Sequence, residues 1–192
     1  MEKRENYTTI FILAFFALAL NTNLITYLSN FINFPTGNTL TNLMEYRTPI
    51  EVFIISNIWA PVIEEILFRG IILKGLLKEY KVVYAIVFSS ILFALVHFYP
   101  HQIIISFFAG LILGFIYYKT ASLLSVILLH ALYNTYIDLL VFLENRFSLE
   151  ILTILPNKFY IFISLIIILS LLYDLSKNNN YNWQSEEIKY LL

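Results

Sequence analysis

Three charged side chains, Glu64, Glu65 and Arg69, lie inside an apolar stretch of this sequence that is long enough to cross a membrane. Ionisable groups at that depth are costly, and they mark either a functional site or a tightly paired structural site. The charges must face protein or water rather than lipid, so other helices have to surround this stretch. Two later segments carry polar groups that could meet them: one ends at His97, and the other contains His130.

The composition indicates an integral membrane protein. Hydrophobic residues make up 59% of the 192 residues and charged residues only 13%, whereas about 25% of residues are charged in a typical soluble domain. The net charge of −1 argues against nucleic acid as a partner, because phosphate binding needs a basic patch. The sequence has no cysteine, which excludes disulfides, thiolate metal sites and a cysteine nucleophile. We expect the apolar surface to face the lipid bilayer.

Six apolar runs predict an all-α fold, a polytopic membrane helical bundle with about six transmembrane helices. The first run could be a cleaved signal peptide, but we favour a retained span because a further hydrophobic turn follows it. With six spans, eight of the twelve Lys and Arg residues lie on the side of both termini and three on the other. Positive charge gathers on the cytoplasmic face, which predicts a multi-pass cell-membrane protein with both termini cytoplasmic. The predicted spans are residues 10–28, 50–77, 81–98, 103–118, 122–143 and 159–175.

Two local features bear on how these helices pack. Pro61 predicts a kink in the second span, because its ring leaves the carbonyl of Asn57 without a helical donor. In the fourth span, small residues recur every four positions at Ser106, Gly110 and Gly114. This small-residue face lets a neighbouring helix approach closely, within one chain or between subunits.

The charged cluster itself has two interpretations. Glu65 and Arg69 are one helical turn apart, in the order that favours an ion pair, and such a pair is most valuable in a low-dielectric interior. Glu64 is then left without a local partner, which suits a general base that takes a proton from water. The alternative is that both acids only fix the helix through Arg69 and a second partner.

The histidines before the fourth span are ambiguous on their own. His97 lies one helical turn after Phe93, so the two side chains share a face of the predicted helix. A single histidine near a helix end is more typical of an interfacial residue than of a catalyst. His101 follows Pro100 in a predicted loop, where a structural role is favoured still more.

The fifth span carries a polar stripe, with His130, Asn134 and Asp138 spaced four residues apart. Such a stripe either makes interhelical hydrogen bonds or lines a cavity. Because all three motifs place polar groups within spans, we expect them to line one central cavity. The sequence has no His-Glu-x-x-His zinc motif and no Gly-x-Ser-x-Gly elbow. Water activated by a carboxylate is therefore the simplest hydrolytic chemistry for these residues.

In these residues the sequence resembles the CPBP family of intramembrane proteases, also called the Abi or type II CAAX prenyl endopeptidase family. The resemblance covers residues 50–138 and implies a catalytic core at 50–140, an N-terminal helix and loop at 1–49, and a last helix and cytoplasmic tail at 141–192. The family pattern is Glu-Glu-x-x-x-Arg, Phe-x-x-x-His and His-x-x-x-Asn/Asp. It stands here, in order, as Glu64, Glu65 and Arg69; Phe93 and His97; and His130 and Asn134.

The resemblance implies an endopeptidase that cleaves membrane-associated peptide or protein substrates, with peptide maturation or bacteriocin self-immunity as roles of bacterial members. It also implies how six side chains divide the work: water activation by Glu64 and His97, oxyanion stabilisation by His130 and Asn134, and organisation of the helix by Glu65 and Arg69.

Two points stay open from the sequence: whether a metal is used, and whether the chain is an enzyme. Glu64, His97 and His130 offer the ligands of a catalytic zinc site, as the label metalloprotease implies. A metal-free glutamate mechanism explains the same residues, and we favour it over a tightly bound metal. The alternatives to an enzyme are a non-catalytic immunity or scaffold protein that binds a peptide, and a proton-coupled transporter. The transporter is less favoured because the chain shows no internal repeat.

Overall fold

The computed structural model describes residues 14–15, 17–19, 48–97, 99–147 and 166. Within these residues the fold is all-helical, as predicted. Helix α1 runs without interruption over residues 49–79, and α2, α3 and α4 follow it. Two π-helical stretches alternate with three α-helical ones in α1: Pro49–Ile54, Ile55–Trp59 (π), Ala60–Glu65, Ile66–Leu73 (π) and Lys74–Glu79. The other helices are α2 at Val82–Leu95, α3 at Pro100–Thr120 and α4 at Leu123–Phe147.

The start of α1 is set by a capping box. The hydroxyl of Thr48 accepts from the backbone N–H of Glu51 at 3.4 Å, and the Glu51 carboxylate accepts from the Thr48 N–H at 2.8 Å. Pro49 occupies the first turn, where its missing N–H costs nothing. These three residues fix where the helix enters the bundle.

Next to Pro61, where the sequence predicted a kink, the structure has a π-helical turn. In this register the carbonyl opposite Pro61 is that of Ser56, whereas the sequence predicted that of Asn57. This turn, Ile55–Trp59, ends two residues before the proline, and the Ala60 N–H donates to the carbonyl of Ile55, five residues back. A π-helical turn accommodates an extra residue and recurs at functional sites. The carbonyls just before Pro61 are therefore out of the ordinary α-helical register.

Of the helices that the structure describes, two are long and apolar enough to cross a membrane, Pro100–Thr120 and the Leu123–Leu143 part of α4. Helix α2 is apolar but has only 14 residues, fewer than the roughly 20 needed for a full crossing. Six spans therefore stay a prediction. The first and sixth predicted spans, 10–28 and 159–175, lie almost entirely outside the described residues.

The predicted loop around His101 was wrong. Pro100 is in the first turn of α3, and His101 follows it inside the helix. Proline is favoured at this position because it has the helical φ angle and lacks only an N–H that would have no helical acceptor. Pro100 starts a helix here, whereas the sequence was interpreted as a loop.

Helix α3 is the centre of the bundle, since every residue from 112 to 119 is buried. The small-residue face predicted on α3 packs against α2. A Cβ atom added to Gly110 would lie 2.9 Å from the Cβ of Ser90, and one added to Gly114 would lie 3.1 Å from Cγ2 of Ile86. This part of the prediction is confirmed within one chain, because the two backbones approach too closely for a larger residue.

A tight turn joins α3 to α4. Ala121 has a left-handed backbone with φ of 47°, and its N–H donates to the Tyr117 carbonyl at 2.8 Å. The hydroxyl of Ser122 then accepts from the N–H of Ser125 at 3.2 Å, as a helix N-cap does. The turn holds the start of α4, and with it the polar stripe, next to α3.

Candidate active site

The most deeply buried part of the candidate site is an ion pair between Glu65 and Arg69. The Arg69 Nη1 donates to Oε1 of Glu65 at 2.9 Å, and the side chains are 1% and 0% exposed. Arg69 also reaches α3, where Nη2 donates to the Gly110 carbonyl at 3.2 Å, and its Cζ lies 4.5 Å from the centre of the Phe93 ring on α2. The predicted ion pair is confirmed, and its arginine ties three helices together.

His130 is held between the two adjacent glutamates. Its Nδ1 lies 2.8 Å from Oε1 of Glu65, the oxygen that also accepts from Arg69. Because this carboxylate oxygen is an acceptor, Nδ1 must carry the hydrogen. The other ring nitrogen, Nε2, lies 3.9 Å from Oε2 of Glu64. The Glu65 carboxylate thus fixes the ring so that Nε2 faces Glu64.

The Glu64 side chain is the more open of the two acids. It is 27% exposed, while His130 is 8% exposed and Glu65 is fully buried. Arg69 and His130 both bind Oε1 of Glu65, and the whole Glu65 side chain is closed to solvent. The contact of Glu64 with His130 is longer than a hydrogen bond, and Glu64 is partly exposed. Glu64 is thus the acid that can still bind a small molecule such as water.

The spacing predicted that His97 lies on the helix, but the structure places it after the helix end. Helix α2 ends at Leu95, and the His97 N–H donates to the Ala94 carbonyl at 3.0 Å in the turn that follows. The His97 Nδ1 lies 3.0 Å from the carbonyl of Phe93. Since a carbonyl only accepts, Nδ1 is the donor, and Nε2 is left as an acceptor when the ring is neutral.

Phe93 connects the two imidazoles. Its ring centre is 5.2 Å from that of His97 and 5.9 Å from that of His130, both edge to face. No hydrogen bond or ion pair links His97 to Glu64 in the described part of the chain. Joint action of these two residues therefore needs a molecule between them, such as a water.

Asn134 lies one turn beyond His130, but its amide has a partner that the sequence did not indicate. The Nδ2 group donates to the backbone carbonyl of Ser56 on α1 at 2.9 Å. Of the two amide hydrogens, one is used in this bond. The structure thus brings Asn134 to the same pair of helices as His130 and anchors it there.

Below Asn134, the polar stripe forms an interhelical network. The Asn57 amide donates to Oδ2 of Asp138 at 2.6 Å and to the Phe53 carbonyl at 3.1 Å, and its oxygen accepts from the Thr135 hydroxyl at 3.2 Å. For Asp138 the structural interpretation of the stripe therefore applies. Asn57 and Thr135 were missed in the sequence, although a buried asparagine in an apolar run was a signal for the first.

The three motifs are thus assembled around α1. Residues 46–136, which include all of them, match the family model described as type II CAAX prenyl endopeptidase Rce1-like. The predicted family resemblance is confirmed over this segment. A curated relative, the "Putative membrane peptidase YdiL" of Bacillus subtilis (strain 168), is 30% identical over 86 residues. The alignment covers 45% of this chain and 35% of that protein. No solved structure gives a significant match.

The match to the type II CAAX prenyl endopeptidases supports a membrane protease, and together with the apolar helices it indicates a membrane protein. Peptidases of the metal-dependent kind hold zinc with three protein ligands. Among the described residues, no group of three His, Asp or Glu side chains has the spacing of a metal site. Oε1 of Glu65 is bonded to Arg69 and His130, and Glu64 and His130 lie together as one carboxylate and one imidazole. His97, the third predicted ligand, does not form a group of three with them. As placed, these residues do not fit a zinc site.

Proposed function

We propose that this chain is an intramembrane endopeptidase that hydrolyses membrane-associated peptide or protein substrates. The observation that carries the proposal is the placement of His130, with Nδ1 fixed by Glu65 and Nε2 facing Glu64. Placing a buried carboxylate, guanidinium and imidazole beside a second, partly exposed carboxylate in an apolar bundle is costly. A purely structural pairing accounts for Glu65 and Arg69, but within the described residues the Glu64 carboxylate has no hydrogen bond.

In this proposal Glu64 is the general base. The 3.9 Å between Glu64 Oε2 and His130 Nε2 is too long for a direct hydrogen bond. One water at ordinary hydrogen-bond distance from both atoms fits that gap. Glu64 takes a proton from this water as its oxygen attacks the scissile carbonyl, and later gives the proton to the leaving amine. When Nε2 of His130 is protonated and donates to the water oxygen, Nε2 of His97 is the acceptor for the second hydrogen of the water.

The developing oxyanion needs donors. Asn134 uses one amide hydrogen for Ser56 and keeps a second for the substrate oxygen. Because the Nδ1–H of His130 is committed to Glu65, its Nε2 donates to an oxyanion only in the imidazolium form. Glu65 orients the His130 ring, as carboxylates that accept from a catalytic histidine do, and Arg69 holds Glu65 in place.

The proposed cellular setting rests on the charge distribution of the sequence and on the family resemblance. We place the chain in the cell membrane with about six spans and both termini in the cytoplasm, from the Lys and Arg distribution. Peptide maturation or bacteriocin self-immunity is the proposed role, from the family resemblance. The proposed mechanism uses water and the protein's own groups, with no tightly bound metal.

The test compares the membrane peptidome of cells that carry wild type with that of cells that carry Glu64→Gln. The variant keeps the shape of the side chain and removes the base, so cleavage products should fall by about a hundredfold or more. Glu79→Gln is the matched control, because Glu79 is an exposed glutamate at the end of the same helix. It should leave the products unchanged.

A different outcome would favour the second class of function. If Glu64→Gln yields the same peptides and the same cellular phenotype as wild type, the chain acts by binding alone, as a non-catalytic immunity or scaffold protein. The interhelical network of Asn57 and Asp138 shows that some buried polar groups here have structural partners. Glu64 is the residue whose substitution separates the two functions.

A further inference from the structure

The backbone carbonyl of Ser56 lacks the hydrogen bonds that a helix normally supplies. In an α-helix it would accept from the N–H of residue 60, and in a π-helix from that of residue 61. The Ala60 N–H donates instead to Ile55, and Pro61 has no N–H. Ser56 is half-buried, and a carbonyl without a donor in an apolar bundle costs free energy, which favours a partner from elsewhere.

That partner is the Asn134 side chain on α4, at 2.9 Å. The bond decides the orientation of the amide, because a carbonyl oxygen can accept only from the nitrogen side. The direction of the second amide hydrogen is then fixed as well. Next to this bond, Asn57 holds α4 through Asp138 and Thr135, which keeps the two helices in register.

We propose that Pro61 is a positioning residue, which frees the Ser56 carbonyl to orient the Asn134 amide. The catalytic part of this inference rests on the proposed function, in which Asn134 donates to the oxyanion. Its structural part does not, because it concerns only which donor the Ser56 carbonyl uses. Pro61 is fully buried one turn before the two glutamates, and it has no chemical step of its own in the proposed mechanism.

The structural part is tested by a double-mutant cycle on unfolding of the full chain in detergent micelles. Pro61→Ala supplies a new N–H that competes for the Ser56 carbonyl. When Pro61 is present, Asn134→Ala leaves the Ser56 carbonyl without a donor. In the Pro61→Ala background, the new N–H of residue 61 can still donate to it. We expect the effect of Asn134→Ala on the unfolding equilibrium constant to be at least about fivefold smaller in that background. Equal effects in both backgrounds would overturn the proposal.

Pro100→Ala is the matched control for removal of a proline ring. Pro100 begins α3, where a regained N–H has no helical acceptor, so its cycle with Asn134→Ala should be additive. If Asn134→Ala does not fold, Asn134→Leu replaces it, since leucine has the same number and branching of side-chain heavy atoms but no hydrogen-bonding group. Coupling as large with Pro100 as with Pro61 would also overturn the proposal.

The catalytic part is tested with a backbone ester. Lactic acid incorporated at position 61 has the side chain of alanine but no N–H. On a peptide identified in the peptidome comparison, Pro61→Ala should lower kcat at least about fivefold with little change in KM. The ester variant should restore kcat, because the Ser56 carbonyl is free again. If the ester is as slow as alanine, the ring and not the missing N–H is responsible, and the inference is wrong.

The outcomes separate this inference from the proposed function. Energetic coupling between positions 61 and 134 without any peptidase products would contradict the endopeptidase proposal and leave the Ser56 bond supported. Peptidase products without energetic coupling between positions 61 and 134 would support the endopeptidase proposal and contradict the role of Pro61.

Discussion

Substitution of Gly110 by alanine tests how closely α2 and α3 must pack. The added Cβ would lie 2.9 Å from the Cβ and 3.1 Å from the Cα of Ser90. The second atom is backbone, so the clash cannot be relieved by a side-chain rotation. Overpacking of this kind costs about 1–3 kcal/mol, and the higher helix propensity of alanine offsets about 1 kcal/mol of it. We expect a net loss of about 0–2 kcal/mol, with a midpoint of about 1 kcal/mol.

Gly75 provides the matched control. A Cβ atom at this position meets nothing within 4 Å, so Gly75→Ala should stabilise the helix by about 0.5–1 kcal/mol. The two variants should therefore differ by about 2 kcal/mol in free energy of unfolding. Equilibrium unfolding in mixed micelles, followed by circular dichroism, measures this difference. If Gly110→Ala is as stable as Gly75→Ala, the helices do not pack as described.

The Gly110 substitution also reaches the site. The Gly110 carbonyl accepts from Arg69, which pairs with the glutamate that fixes His130. A shift of α3 away from α2 would pull on this chain of contacts. We therefore expect Gly110→Ala to reduce peptide cleavage as well, while Gly75→Ala should leave it unchanged.

Four further outcomes follow from the contacts. Arg69→Lys should lower cleavage and cost about 2 kcal/mol or more in unfolding, because lysine lacks the planar group that reaches Glu65, α3 and an aromatic ring together; a neutral result would contradict the role of the buried pair. Phe93→Leu should raise the activation free energy of cleavage by more than it lowers the free energy of unfolding, because the ring spaces the two imidazoles; equal changes in the two free energies would indicate a packing role alone. Ala121→Gly should raise unfolding free energy by about 0.5–1 kcal/mol, since Ala121 is left-handed; a loss would contradict that backbone angle. A chelator should leave purified activity intact, and loss followed by recovery with zinc would refute the metal-free mechanism.

Features that depend on short-range geometry could be predicted from the sequence. The Glu65 and Arg69 pair follows from a four-residue spacing, and the small-residue face of α3 follows from a repeat of the same length. Both require only that the segment is helical. The number of spans is different, because it depends on segments that lie outside the described residues.

Features that depend on where a helix ends or changes its register were missed. His97 was placed on a helical face, but α2 ends at Leu95 and the imidazole caps it instead. The bond from Asn134 to Ser56 arises because a backbone carbonyl becomes free next to Pro61. Every residue has a backbone carbonyl, so the sequence does not indicate which carbonyl lacks a helical donor. The meeting of His130 with both glutamates likewise needs the relative position of two helices, which the sequence alone does not determine.

The intrahelical origin of the Glu65 and Arg69 pair has a consequence for biosynthesis. Both partners belong to α1, so they can neutralise one another as soon as that helix forms, before any later segment has left the ribosome. Insertion of a helix with opposite charges already joined is much less costly than insertion of separate ions. His130 and the carbonyl of Gly110 reach the pair only when α3 and α4 arrive. The charge cluster can therefore enter the bilayer early and gain its working geometry last, once the bundle is complete.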